Sequence, residues 1–201
     1  MDVTEAIRRR RMTRSFESRP IDPEVLDEIL MTSLLAPSAG NSRGTSWISL
    51  VGELETARYF EAATDESWRR SAPRAPGLLR AGAVALLVAD PAAYVERYSA
   101  PDKVGSGLGR SIEAWPVPYW WGDAGGVVMA ALLLAEEAGL GACIHGAFRN
   151  VDAVKSSLGI PEPMLVYGAL LLGHPAGDDR RSASLDRPGP SRAERIHHAG
   201  W

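Results

Sequence analysis

The sequence has little of three features that each mark a class of protein. One cysteine, Cys143, stands among 201 residues, which excludes a framework of internal disulfides and predicts a reducing, cytoplasmic location. The longest apolar runs, 83–89 and 127–135, fall well short of the roughly 18–20 residues that span a bilayer. The 22 basic and 25 acidic residues leave a formal charge of −3, so no strong positive field draws nucleic acid.

Signatures of several enzyme classes are also absent. No G-x-G-x-x-G follows an expected strand, which disfavours a Rossmann dinucleotide site, and no segment has the form of a P-loop. No set of His, Cys, Asp and Glu has the spacing of zinc ligands, so we predict no metal site. Cys143 lies in an apolar run without an adjacent base, and a buried, inert thiol is the favoured interpretation.

What the sequence does contain is the composition of an ordinary globular chain. Hydrophobic residues make up 45% and charged residues 23%, and the length predicts a single domain over residues 1–201. Lysine occurs only at positions 103 and 155, so the basic residues are almost all arginine. Codon usage in a GC-rich genome is the simpler explanation, although guanidinium groups also bind phosphate through a planar fork.

Hydrophobic spacing and capping residues predict the order of the helices and strands. We expect helices at about 2–10, 23–34, 53–63, 123–137 and 151–158, and strands at 47–51, 83–89, near 143 and at 165–172. The stretch 91–118 is too long for an inert connection and predicts a partly helical lid or binding loop. A polar arm follows His174. This loose alternation indicates an α/β or α+β fold.

Two clusters of side chains have a functional interpretation beside a simpler one. The arginines at 8–11, with Arg14, form either an anion site, because adjacent guanidinium groups repel one another, or a solvated charge run at a helix C-terminus. The aromatic cluster 115–121 either packs at a subunit interface or lines a pocket for a planar ligand. The residues of that candidate pocket are Trp115, Tyr119 and Trp120.

Two further positions carry weaker signals. The loop 37–44 offers polar side chains and free backbone N–H groups that suit a polar cofactor, although helix-to-strand loops commonly have this composition. His145 lies between an expected strand and Gly146. A histidine that simply packs in the core is the simpler interpretation there.

Five segments in order resemble the FMN-dependent nitroreductase family over almost the whole chain. Residues 6–16, AIRRRRMTRSF, are similar to the family's opening R-R-S-x-R-x-F, and residues 36–43, APSAGNSR, to its A-P-S-x-x-N-S-Q. The others are PID at 20–22, the apolar helix from Asp123 to GLGAC with Gly146 after it, and LGHP at 172–175 against L-G-Y-P. Segments 98–103, 115–120 and 179–182 are similar to a bacterial subgroup of the family.

The resemblance implies a fold, a cofactor and an assembly. The fold is a three-layer α/β/α arrangement of the α+β class, with a central, mostly antiparallel sheet and an extended C-terminal arm. The assembly is an intertwined homodimer that holds FMN at the subunit interface. NAD(P)H reduces the flavin, and a second substrate then takes the electrons from the same face, so that no side-chain nucleophile or metal is required.

The resemblance also assigns cofactor contacts position by position. The opening basic segment, which holds the FMN phosphate and ribityl chain or reaches the ring, corresponds to Arg10, Arg11, Met12 and Arg14. The loop that touches the isoalloxazine ring of the neighbouring subunit contains Ser38, Asn41 and Arg43. A backbone N–H near flavin N5 corresponds to Gly146, beside His145, and the remaining phosphate contact to Arg187 or Arg192.

Three departures from the family pattern concern this same site. Met12 replaces a serine and its hydroxyl donor, and Arg43 replaces a glutamine, which places a cation near the flavin edge and favours an anionic reduced flavin or an acidic substrate. The arm reads DRPGPSR at 186–192 where relatives often carry paired arginines. These changes leave two alternatives, weaker FMN binding or a retuned site.

The expected function is therefore reduction of a small planar acceptor, such as a nitroaromatic, a quinone or a flavin-like molecule, by NAD(P)H through FMN. One alternative is an FMN-dependent dehydrogenase or oxidase that desaturates a biosynthetic intermediate and passes electrons to oxygen. A third is a flavin-binding or flavin-less protein without catalytic activity. Prompt reduction of the flavin by NADH or NADPH favours the first, and slow reduction with rapid air oxidation favours the second.

Overall fold

The fold is seen in a computed structural model that describes residues 1–147, 149–180 and 182–201. Arg181, a member of the segment 179–182 noted above, lies outside the described residues, as does Phe148. The helices in this part of the chain are α1 (Val3–Arg9), α2 (Pro23–Ser33), α3 (Gly52–Ala63), α4 (Glu66–Ser71), α5 (Ala75–Leu78), α6 (Pro91–Ser99), α7 (Tyr119–Glu137) and α8 (Val151–Leu158). The strands are β1 (Thr45–Val51), β2 (Ala83–Ala89), β3 (Gly141–His145) and β4 (Leu165–Gly173).

The four strands form one antiparallel sheet in the order β1-β2-β4-β3. All seven residues of β2 are buried, because this strand is flanked by β1 and β4 and covered on both faces. A short apolar run without polar alternation is typical of such a strand. The predicted strand at 83–89 is confirmed to the residue.

Alternate residues of β2 pack into two different cores. Ala83, Ala85 and Leu87 contact the core formed with α2 and α7, and the intervening residues contact the core formed with α3 and α8. Helices on both faces of an antiparallel sheet give three layers, so the predicted α+β class and its α/β/α arrangement are confirmed.

Helix α7 begins four residues earlier than the sequence indicated. Asp123 has the form of an N-cap, but it lies inside the helix, where its Oδ2 accepts hydrogen bonds from the Ala39 N–H and the Tyr94 hydroxyl, both at 2.8 Å. The aspartate therefore ties α7 to a loop and to α6. Helix α7 contributes seven buried residues, which confirms its central position.

Two short helices lie in a region where no periodicity predicted one. Helix α4 is capped by Asp65, whose Oδ1 accepts from the Trp68 N–H at 2.7 Å, and α5 follows it closely. Both are shorter than two full turns, so no apolar repeat develops within them. The segment 91–118 is partly helical as predicted, with α6 followed by three 3₁₀ turns.

The chain ends in an exposed arm after β4. From Ala183 onward every described residue is exposed, and a 3₁₀ turn at Ala183–Asp186 is the regular element of this stretch. Among the helices of the described chain, none is both long and apolar enough to cross a membrane.

Gly141 allows the N-terminal segment to lie against β3, and replacing it tests that contact. A Cβ at this position would lie 2.7 Å from two atoms of the buried Thr13 side chain. We expect Gly141→Ala to lower the free energy of unfolding by about 1–3 kcal/mol, the usual cost of overpacking. Gly105→Ala, where a Cβ meets nothing within 4 Å, should stay within about 0.5 kcal/mol of the native protein in urea unfolding. Equal stabilities for the two variants would contradict this account of the contact.

Candidate functional site

The basic segment leaves α1 and runs along the free edge of β3. Met12 pairs with Ala142 in a parallel bridge, and the Thr13 N–H donates to the Ala142 carbonyl at 2.9 Å. This pairing fixes the backbone from which Arg11 and Arg14 project. The Nε of Arg10 is buried and has no hydrogen-bond partner among the described residues. A buried guanidinium nitrogen without a partner is costly, and a bound acceptor would satisfy it.

A cavity of about 430 Å³ opens beside this segment, and we call it the arginine cavity. It is lined by Arg14, Ser15, Pro73, Arg74, Pro76, Gly77, Arg80, Asp178, Asp179 and Arg180. Four arginines face two aspartates there, which leaves an excess of two positive charges. Such a surplus suits a dianionic ligand that offers several hydrogen-bond acceptors.

The two aspartates fasten the start of the C-terminal arm to the basic segment. Asp179 forms an ion pair with Arg11, and its Oδ1 accepts from the Arg14 N–H at 2.9 Å. Asp178 accepts from the Ser15 hydroxyl at 2.6 Å. That hydrogen bond, together with the charge of Arg80, lowers the pKa of the Asp178 carboxyl below its usual value. The Asp178 carboxyl is therefore ionised at neutral pH, and both aspartates tie the arm to the basic segment.

Arg80 and Arg74 also line the arginine cavity. Arg80 donates to the Phe16 carbonyl at 2.8 Å and to the Ser15 hydroxyl at 2.9 Å, so its position is fixed by the backbone. Arg74 donates one hydrogen bond, at 3.4 Å, to the Arg180 carbonyl. Arg80 also donates to the Pro76 carbonyl at 3.2 Å and pairs with Asp178 at 3.9 Å. Arg74, with one hydrogen bond among the described residues, therefore has more N–H groups left to meet a ligand. Sequence reasoning missed both residues, because they stand singly in a region without a motif.

A second cavity, of about 240 Å³, begins where β3 ends, and we call it the histidine cavity. Its lining is Ala63, Thr64, Asp65, Trp68, His145, Gly146, Arg149 and Asn150. The two cavities lie along the same strand: the Cys143 thiol is close enough to Arg14 and Arg74 to feel their charges, and His145 follows two residues later. Along the strand, His145 lies three residue steps beyond Ala142, a distance of about 10 Å.

His145 is packed among aromatic rings, as the simpler interpretation predicted, and it also lines the histidine cavity. Its Nδ1 lies 2.6 Å from the Tyr59 hydroxyl, and the rings of Tyr59, Phe60 and Trp68 meet it edge-on. Burial lowers the pKa of the imidazole below its ordinary value, so the ring is neutral at neutral pH.

The side chain of Cys143 is also buried, in the core formed with α3 and α8. Burial raises the pKa of its thiol. This agrees with the expected inert thiol.

The loop before β1 holds a strained backbone. Gly40, Asn41 and Arg43 all have positive φ angles, of 62°, 59° and 52°, and such values cost energy in residues other than glycine. The loop is held by its neighbours: the Gly40 carbonyl accepts from Arg97 at 2.8 Å, and the Ser38 hydroxyl accepts from the Arg43 N–H at 3.0 Å. Arg43 and Asn41 are exposed and linked by a hydrogen bond of 3.1 Å.

This loop and the basic segment lie at opposite corners of the sheet. The loop enters β1 at Thr45, which is level with Leu165 of β4, whereas Met12 lies beyond β3 and level with Leu172. Four strand spacings across the sheet and seven residues along it give a separation of about 30 Å. Within one chain the structure does not bring these two sets of predicted residues together.

The predicted substrate residues form a packed aromatic cluster near α6. Trp115 and Trp120 are buried against Tyr94, and Tyr119 is exposed at the start of α7. The Nε1 of Trp115 is buried without a hydrogen-bond partner among the described residues. The remaining predicted contacts, Arg187 and Arg192, lie on the exposed arm.

Known proteins are similar to this chain in fold and, at about a quarter of the positions, in sequence. A model of the Nitroreductase family matches residues 7–174. A relative from Archaeoglobus fulgidus, provisionally named NADH dehydrogenase/NAD(P)H nitroreductase, is 26% identical over 195 residues, which cover 96% of this chain and 94% of that protein. A relative of the same provisional name from Methanothermobacter thermautotrophicus is 25% identical and covers 100% of this chain and 88% of its own length.

Solved structures of this fold superpose over the full length. Nitroreductase CinD from Lactococcus lactis, in complex with chloramphenicol, has a TM-score of 0.76 at 17% identity and covers 99% of this chain and 100% of its own. The FMN- and NADPH-dependent nitroreductase NfnB from Sphingopyxis sp. strain HMH has a TM-score of 0.71 at 19% identity, with 100% of both chains covered. Since the family model spans residues 7–174 of the 201, this chain belongs to the Nitroreductase family.

Proposed function

We propose that this chain, acting as one domain over residues 1–201, binds FMN and catalyses NAD(P)H-driven reduction of a small planar acceptor. A nitroaromatic, a quinone or a flavin-like molecule has the required shape. The names of its relatives support this activity: two are provisionally called NAD(P)H nitroreductases, and one superposed structure is described as dependent on FMN and NADPH. A reducing, cytoplasmic location stays a prediction from the single cysteine.

The arginine cavity is the observation that carries the proposal. Its excess of two positive charges matches the charge of a phosphate monoester, about −1.5 to −2 at pH 7. Arg10, in the same basic segment but outside the lining of the cavity, has a buried Nε that lacks a partner among the described residues. Arg14 and Arg74 offer further donors on the side of the cavity that faces β3. The residues present therefore fit the phosphate end of FMN.

The histidine cavity is placed to receive the ring. It lies about 10 Å along β3 from the basic segment, and it presents the Gly146 backbone and the side chains of Trp68 and Arg149. Bound FMN would supply the hydride chemistry, accepting from NAD(P)H and passing electrons to the acceptor. The protein's part is to hold the phosphate, orient the ring beside Gly146 and offer positive charge where the ring becomes negative.

The loop that contains Ser38, Asn41 and Arg43 is proposed to act on the neighbouring subunit. In one chain, the start of β1 lies about 20 Å from the end of β3, by strand spacing and residue rise. A ring beside Gly146 is therefore out of reach of its own loop. A homodimer related by a two-fold axis would place the loop of each chain beside the cavities of its partner.

Removing the two innermost arginines of the basic segment tests the phosphate assignment. We expect the double variant Arg10→Ala, Arg14→Ala to raise the Kd for FMN by about 100-fold or more, since each lost charge-assisted contact costs about 1.5–3 kcal/mol. The measurement is quenching of flavin fluorescence on titration. The matched control is Arg58→Ala, Arg70→Ala, which removes the same charge from exposed arginines of α3 and α4. A double variant that binds FMN as tightly as this control would overturn the assignment.

Reduction by a nicotinamide tests the direction of the reaction. The FMN-loaded protein, mixed anaerobically with NADPH or NADH, should lose its visible flavin absorption promptly, and addition of a nitroaromatic should restore it. Free FMN at the same concentration is the control for uncatalysed reduction. Bound flavin that neither nicotinamide bleaches, yet that air reoxidises rapidly after chemical reduction, would favour the substrate-oxidising alternative instead.

A further inference from the structure

The contact between Tyr59 and His145 fixes which nitrogen of the imidazole carries the proton. The Tyr59 hydroxyl lies 2.6 Å from Nδ1. Tyr59 is fully buried, and burial raises its pKa well above the ordinary value, so the phenol keeps its proton. Burial lowers the pKa of His145, so the imidazole is neutral. The buried phenol has no other acceptor among the described residues, so it donates to Nδ1, which leaves the single proton of the neutral ring on Nε2.

The other ring nitrogen, Nε2, takes no part in the contact with Tyr59. No hydrogen bond to Nε2 of His145 occurs among the described residues, and the ring lines the histidine cavity beside Gly146. The edges of Tyr59, Phe60 and Trp68 pack around the ring at centroid distances of 5.6–6.2 Å, so the imidazole cannot turn freely. An oriented N–H group without an acceptor is typical of a binding site.

We propose that Tyr59 acts as a positioning residue that makes neutral His145 a hydrogen-bond donor, through Nε2–H, to a ligand oxygen in the histidine cavity. The ligand chemistry is a hydrogen-bond-accepting oxygen on a planar ring. It comes either from a carbonyl of the flavin ring or from the nitro or quinone oxygen of the acceptor. The inference rests on the proposed function for the identity of the ring. For the state of the histidine it rests on the 2.6 Å contact with the Tyr59 hydroxyl and on the burial of both side chains.

The charged groups around the cavity are compatible with a neutral donor. Asp65, which caps α4, and Arg149 line the same cavity, and their charges offset each other. Tyr59 is the titratable group in direct contact on α3. Acidification would place a second proton on Nδ1, so that this nitrogen would donate to the Tyr59 hydroxyl oxygen instead of accepting from it.

Nuclear magnetic resonance of isotope-labelled imidazole nitrogens in the FMN-free protein tests the state of His145 directly. We expect Nε2 protonated and Nδ1 shifted as a hydrogen-bonded acceptor at neutral pH. Tyr59→Phe should move the Nδ1 signal toward that of a free acceptor. The matched control is Tyr94→Phe, which removes another buried hydroxyl, bonded to Asp123, far from the cavity. A proton on Nδ1, or titration near the ordinary value of about 6.5, would overturn the proposal.

Stepwise addition of ligand separates the two sources of the oxygen. FMN is added first and its binding is followed by fluorescence; 4-nitrobenzoate is then added to the same sample. Movement of the Nε2–H signal with FMN assigns the acceptor to the flavin, and movement only with 4-nitrobenzoate assigns it to the substrate. A signal that responds to neither overturns the proposal whether or not FMN binds. Failure of FMN to quench, by contrast, counts against the proposed function itself.

Two substitutions of His145 distinguish a donor from a packing residue. His145→Phe keeps a ring but loses the donor, and we expect the Kd of the responding ligand to rise by about three- to tenfold. His145→Gln keeps an N–H at a similar reach and should restore binding to within about twofold of the native protein. Native affinity in His145→Phe, or equal loss in both variants, would contradict the role of the donor.

Discussion

The pairing of the basic segment with the edge of β3 is the contact on which the proposed site depends. The Thr13 N–H bonds the Ala142 carbonyl, and Gly141 has no side chain to prevent the approach. Asp179 then binds both Arg11 and the Arg14 backbone, so the start of the arm is held to the same strand edge. Four arginines that would otherwise repel one another are thus gathered around a cavity rather than spread over a surface. An anion there would relieve that repulsion, which supports the proposal of a phosphate-bearing ligand.

The sequence predicted those helices and strands whose ends are set by residues next to them in the chain. Strand β2 is a short apolar run ended by Asp90 and Pro91, and α8 ends at Gly159 with a positive φ of 65°, so both were predicted with their observed bounds. The start of α7 was not, because Asp123 uses its carboxylate for distant partners instead of capping. Arg74, Arg80 and Asp178 could not be assigned from the sequence, since tertiary contacts alone bring them to the cavity.

The structure shows what the residues that depart from the family pattern contact. Met12 packs against both cores and accepts a hydrogen bond from Arg14 through its backbone carbonyl, at 3.2 Å, so the side chain that replaces serine supports the strand edge instead of donating to a ligand. Arg43 is an exposed cation on a strained loop whose shape is set by Arg97 and by the Ser38 hydroxyl. These contacts hold the backbone of the loop in place. The side chains of Asn41 and Arg43 make few contacts with their own chain, which suits contact with a second chain.

Each FMN site is proposed to combine the basic segment of one chain with the loop of the other, and mixed dimers of two variant chains test this arrangement. One chain carries Arg10→Ala and Arg14→Ala; the other carries Asn41→Gly and Arg43→Gly, because glycine keeps the positive φ angles while removing the side chains. Differently tagged chains are co-expressed and the mixed dimer is purified. The account predicts one tight FMN site in the mixed dimer, built from the two intact halves, and weak binding in both parent dimers. A mixed dimer that binds FMN no better than its parents would contradict the account, because both halves would then belong to one chain.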